Sequence, residues 1–112
     1  MKFFKHEYTL RRFGKATVVN GYASIPYTER TILADIQTTD RGMTTDVDGT
    51  HELQRIKVFC DEELLAEDSS TGQKADWVFF QGRWFECKTT RLSENTPLRH
   101  WTATFSECLK QG

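Results

Sequence analysis

No apolar run in this 112-residue sequence approaches the roughly 18 residues of a membrane-spanning helix, so no membrane partner is expected. The opening MKFFKHEYTL places Lys, His and Glu where a signal peptide keeps an apolar stretch, which points to a chain made and used in the cytosol. Cysteine is scarce and odd in number: Cys60, Cys87 and Cys108 share no CxxC spacing, so they read as buried free thiols rather than a disulfide framework. His6, His51 and His100 are equally scattered, and a Cys/His metal site would require distant segments to converge; neither a metal nor another cofactor is expected. The formal net charge of −1 and a pI near 6.3 exclude the basic balance of a protein that grips nucleic acid by neutralising phosphates, while leaving room for a passing contact with DNA. Catalytic signatures are missing too. The sequence has no nucleophile elbow, no phosphate-cradling glycine loop, no HExxH and no carboxylates that spacing brings together. Glu86 and Cys87 are adjacent, but strand neighbours point to opposite faces. The expectation is a protein that is not an enzyme.

Large side chains are plentiful, with eight Phe, three Trp and three Tyr, enough for one domain with one core. The stretch around which the rest is organised is Ala75 to Thr90, ADWVFFQGRWFECKTT. Two β-prone runs flank Gln81-Gly82, and glycine accepts the positive φ of a tight turn, so a β-hairpin is predicted. With a two-residue loop, Val78 faces Phe85 on one side, while Phe79 faces Trp84 and Trp77 faces Glu86 on the other. A three-residue loop with a bulge stays open, because Gln tolerates positive φ poorly. Apolar groups on both faces mean that the hairpin is either enclosed in a small barrel or presents an aromatic face to a partner. Trp77, Phe79, Gly82, Arg83, Trp84 and Phe85 are the candidate scaffold or interface residues.

The first fifteen residues mix aromatics with a local excess of positive charge. They read either as a first strand with a solvated basic face or as an arm lying on an acidic neighbour, with Lys2, Phe3, Phe4, Lys5, Arg11 and Arg12 as its contacts. Asn20-Gly21 between Val18-Val19 and Tyr22 signals a second hairpin. Thr31 to Thr39 alternates as a half-buried strand, with Ile32, Ala34 and Ile36 on one side. Asp40 to His51, DRGMTTDVDGTH, has no usable periodicity and is expected to be a long functional loop. Its Asp46-Val47-Asp48-Gly49 looks like the start of a calcium loop, but later acidic ligands do not follow at the required spacing. A strand resumes from Glu52 to Asp61. Glu62 to Glu67 could be a helical turn or a short strand, and Leu98 to Cys108 alternates as a strand returning beside the central hairpin. Strands at short spacing with at most one short helix predict an all-β fold: a small single-domain, mostly antiparallel β-barrel or sandwich with a long inserted loop.

The order of these parts resembles the head-closure, or stopper, proteins of tailed-bacteriophage connectors, also called head-tail joining proteins. The resemblance spans Ile32 to Phe105: the strand ILADIQTTD before a long loop, that loop closing at Asp48-Gly49, the strand RIKVFC, the aromatic hairpin ADWVFFQGRWFECKTT and the closing strand LRHWTATF. Thr38 stands where many members have Pro, and the basic aromatic N-terminus is not part of the pattern. The resemblance implies a small β-barrel assembling as a homo-oligomeric, usually hexameric, ring in the virion neck, put together in the host cytoplasm. Its neighbours would be a portal or adaptor protein on the head side and a tail-terminator or tail tube protein on the tail side, with packaged double-stranded DNA passing through the channel. It also implies that the 40–51 loop faces the channel, making Asp40, Arg41, Gly42, Met43, Asp46, Val47, Asp48, Gly49 and His51 the candidate channel residues. Acidic residues outnumber Arg41 there, so a ring would multiply them into a negative collar that repels phosphate, leaving Met43 and Val47 to make steric contacts. A tail-terminator or other neck ring protein is the alternative within the same class. An alternative of a different class is a single-stranded nucleic-acid-binding barrel, with Trp77, Phe79 and Trp84 stacking bases beside Arg83 and Arg91.

Overall fold

A computed structural model describes residues 6–39, 42–46, 49–93 and 100–108. Ten strands account for the regular structure: β1 (His6–Phe13), β2 (Thr17–Val19), β3 (Tyr22–Ser24), β4 (Tyr27–Thr38), β5 (Gly42–Asp46), β6 (Gly49–Leu53), β7 (Arg55–Cys60), β8 (Trp77–Phe80), β9 (Arg83–Ser93) and β10 (His100–Glu107). Six of them close a barrel in the order β1-β4-β7-β10-β9-β8, and every neighbouring pair is antiparallel. No helix occurs among the described residues, and Glu62 to Glu67 forms neither helix nor strand. The fold is thus all-β, and closure removes the edges that an open sheet of this size would expose.

The core follows the alternation of the strands. Leu10, Ile32, Ala34, Ile56, Val58, Val78, Phe85, Cys87, Ala103 and Phe105 line the interior and are buried, with Tyr8, Ile36, Phe80 and Trp101 packed against them. Leu64 and Ala75, from the connector between β7 and β8, join the same cluster. On β9 the inward period is reset at Lys88, where the pairing steps from Thr104↔Thr89 to Phe105↔Cys87 and leaves one extra residue. That bulge lets Cys87 and Thr90 oppose the inward-facing Phe105 and Ala103.

The central hairpin has a two-residue turn. Its register is Trp77↔Glu86, Val78↔Phe85, Phe79↔Trp84 and Phe80↔Arg83. Gln81 and Gly82 both have positive φ, 51° and 80°, as a type I′ turn requires, so the bulged three-residue alternative is not used. Asn20 and Gly21 repeat the device, at 53° and 80°, in the β2–β3 hairpin.

Of the two readings of the N-terminal stretch, residues 6–13 take the strand, paired with both β4 and β8, and not the arm; Arg11 and Arg12 are therefore wall residues, whereas Lys2, Phe3, Phe4 and Lys5 lie outside the described residues. One expectation needs correction. The long loop is not structureless. Its backbone pairs as a hairpin from Gly42↔Leu53 to Asp46↔Gly49, including Met43↔Glu52 and Thr44↔His51. Lack of side-chain periodicity does not prevent pairing, because backbone groups supply the ladder. Asp40, Arg41, Val47 and Asp48 lie outside the described residues.

The two inserted hairpins leave the barrel at opposite ends, because β2–β3 precedes the first residue of β4 and β5–β6 follows its last. Every side chain from 20 to 31 is exposed.

Candidate interface

The outer face of the central hairpin is assembled around one arginine. Trp77, Phe79 and Trp84 point away from the core, and the β1–β8 register sets Arg11 opposite Trp77. The Arg11 guanidinium lies 4.1 Å from the Trp84 ring centroid and 4.2 Å from that of Tyr27, with Trp77 at 5.6 Å. Glu29, opposite Arg11 in the β1–β4 register, fixes the cation: its Oε2 accepts from Nε at 2.9 Å and from Nη2 at 2.7 Å. Only 11% of the Arg11 side chain is exposed, so its cation–π contacts act in a largely desolvated setting. Lys74 caps the same belt, with its ammonium 4.4 Å from the Phe13 centroid and 5.1 Å from that of Trp77. Phe13 stands edge-on to Tyr27 at 5.8 Å and to Trp77 at 5.3 Å, and Phe79 edge-on to Trp84 at 5.1 Å.

The β2–β3 hairpin, which returns to the barrel at Tyr27, carries further exposed apolar groups. The exposed large apolar residues among those described are Val18 (73%), Tyr22 (78%), Ile25 (43%), Tyr27 (51%) and Phe79 (39%). The first four lie on the hairpin or on its return to the barrel, and Tyr27 joins it to the aromatic belt that ends at Phe79. A two-stranded hairpin is marginal in water by itself, and the register Val18↔Ala23 and Val19↔Tyr22 puts Val18 and Tyr22 on opposite faces, so each face of this one carries an exposed apolar group of the kind that marks a contact site. Between Gly14 and Pro26 the sequence carries a single charge, Lys15.

Of the sequence-predicted interface residues, the fold brings Trp77, Phe79 and Trp84 together, places Phe85 in the core and Gly82 in the turn, and ties Arg83 to Glu107 in an ion pair. Sequence reasoning missed Glu29, Lys74 and Tyr27 as parts of the belt, and Val18, Tyr22 and Ile25 as exposed apolar groups of the neighbouring hairpin. The available signal was Asn20-Gly21 flanked by apolar residues in a nearly uncharged stretch.

Beneath the belt, the lower barrel end, where β1 finishes and β4 begins, is closed by a buried ion pair. Arg12 donates from Nε to Asp76 Oδ1 at 3.0 Å and from Nη2 to Oδ2 at 2.8 Å, and Leu65 N–H donates to the same Oδ2 at 2.8 Å. The bond to Asp76 holds the Arg12 pKa above its ordinary value. Chemistry at the cysteines is suppressed: all three are buried free thiols, and burial pushes Cys60 up to about 11 and Cys87 and Cys108 up to about 12.

No family model and no curated protein matches this sequence. The fold is similar to that of a chain in a solved structure of the virion of a native gene transfer agent (GTA) particle. The TM-score is 0.59 at 9% identity, with 96% of each chain covered. At that identity the likeness is one of fold.

Proposed function

We propose that this protein is a non-enzymatic structural component of a phage-like particle, and within it a neck protein that forms a ring between the DNA-filled head and the tail. The observation that carries the reading is the likeness to a virion chain over 96% of both chains, joined to the order of strands described above. A closed barrel with one hairpin leaving each end also suits a stacked ring: one end meets the head side, the other the tail side. The exposed Val18, Tyr22, Ile25 and Tyr27 supply apolar groups on the hairpin and its return for neighbours in that stack. The β5–β6 hairpin is then the channel element, its Asp46 and the adjoining Asp48 contributing to a negative collar around passing DNA.

Electron microscopy of tailless heads incubated with the protein tests this. A ring at the portal vertex is the expected result, and absence of binding to heads and tails at micromolar concentration overturns it. The nucleic-acid-binding barrel has less support, because two of its three stacking rings, Trp77 and Trp84, and its Arg83 are already engaged, with only Phe79 exposed. Arg11 occupies Tyr27 and Trp84, Phe13 and Lys74 lie against Trp77, and Arg83 is paired with Glu107.

A further inference from the structure

Charges on the barrel are mostly neutralised locally, through Arg11–Glu29, Arg12–Asp76, Arg30–Glu62, Arg83–Glu107 and Lys88–Glu86. Two surfaces depart from this. On the wall formed by β7, β10 and β9, cross-strand rows run Lys57–Thr104–Thr89 and Phe59–Thr102–Arg91. Lys57 and Arg91, both exposed, face a shallow depression whose other lining residues are Thr89, Thr90, Thr102 and Thr104. Neither cation has an ion-pair partner among the described residues, nor does the neighbouring exposed Arg55. The second surface is the connector 61–68, DEELLAED, with five acids and no base. Asp61, Glu63 and Glu67 are exposed there and likewise unpaired, while Leu65 and Ala66 beside them are only half-buried.

Topology keeps these two surfaces apart, one at a barrel end and the other on the barrel wall. The connector is pinned beneath β1 and β4, through Arg12 Nη2 donating to the Glu63 carbonyl at 2.8 Å and through Arg30–Glu62. The cationic wall is centred on β10, which is three strands from β1 whichever way the barrel is read.

Resting on the ring reading above, we infer that the acidic connector of one copy docks on the cationic threonine wall of the next, in a head-to-tail contact between copies of this chain. Two unlike patches at different places on the chain give a heterologous interface, which closes into a ring when the rotation permits. Exposed ion pairs add little affinity each but steer encounter and fix register. Half-buried Leu65, Ala66 and Phe59 supply apolar contact beside them. The near-neutral total charge does not oppose such association, because the charge is separated rather than in excess.

Sedimentation of the full-length protein tests the contact at low and high salt. The wild type is expected to associate at low salt and to weaken as salt rises. A wall reversal, Lys57→Glu with Arg91→Glu, and a connector reversal, Glu63→Lys with Glu67→Lys, should each weaken association on the order of tenfold. Mixing the two variants, or combining all four substitutions in one chain, should restore it. All of these side chains are exposed, and unchanged thermal melting checks that each variant folds. A protein monomeric in every condition overturns the inference, as do reversals without effect or a combination that fails to recover. Duplex DNA binding that the wall reversal abolishes, without self-association, also overturns it and assigns the wall to phosphate. If head binding persists while the reversals change nothing, this contact fails and the neck reading stands; if the wild type associates as described but never binds heads or tails, the neck reading fails alone.

Discussion

Arg12, whose side chain is 32% exposed, reaches the fully buried carboxylate of Asp76 with a two-pronged contact at 3.0 and 2.8 Å, 64 residues away in sequence. The pair joins the end of β1 to the connector residue just before β8, so it closes one barrel end. The two partners are not equivalent. Removing Arg12 strands a buried charge that keeps only the Leu65 N–H, whereas removing the Asp76 charge leaves a guanidinium that water can reach. Arg12→Met should therefore destabilise by about 3 kcal/mol or more and Asp76→Asn by less, with the double variant recovering part of the loss. Urea unfolding of the three variants measures this, and an equal cost for both single changes would contradict it.

Gly82 sits at φ +80° with nothing within 4 Å of where a Cβ would stand, so its requirement is backbone conformation and not space. Gly82→Ala should cost about 1 kcal/mol. Gln81, at φ 51°, is a poor choice for its position, and Gln81→Asn should stabilise by roughly a few tenths of a kcal/mol. Thermal melting distinguishes these opposite signs.

Val18 and Tyr22 make no contribution to the core at 73% and 78% exposure. Replacing both by Ser should change stability by less than about 0.5 kcal/mol. Under the proposed neck role the same variant should lose association with heads. Retained particle binding by a folded V18S/Y22S protein would remove this hairpin from the interface.

The collar idea makes a separate demand on the β5–β6 hairpin. Charge reversal of Asp46 and Asp48 to Lys should slow DNA ejection from assembled particles, since a phosphate-repelling wall becomes an attracting one. Unchanged retention and ejection would sink it.

The thiols give a pH dependence of known sign. Cys60 is raised to about 11, and Cys87 and Cys108 to about 12, by burial. The folded state thus holds protons that the unfolded chain releases from the ordinary value of 9.0 upward. The contribution to stability is complete below pH 9 and is lost as pH climbs through about 11 to 12. Melting temperature should fall over that window, and less steeply in a Cys87→Ala variant. Alkylation of the native protein at pH 8 should be slow and should follow global opening.

Sequence alone determined what depends on neighbouring residues. Alternation indicated which side of β4, β7 and β10 faces inward, and Gln81-Gly82 and Asn20-Gly21 marked two hairpins, because turn chemistry and a two-residue period are local properties; the structure then decided for the two-residue turn at Gln81-Gly82. The same local logic failed at residues 40–51, where backbone pairing needs no side-chain pattern, and left residues 6–13 open between a strand and an arm, which look alike until a partner is known. Only tertiary structure decided that Arg11 is clasped between Tyr27 and Trp84, that Arg12 meets Asp76, and that a bulge at Lys88 resets the inward face of β9. Those outcomes follow from barrel closure, which brings β8 against β1 and turns one side of the central hairpin into core and the other into an exposed aromatic belt.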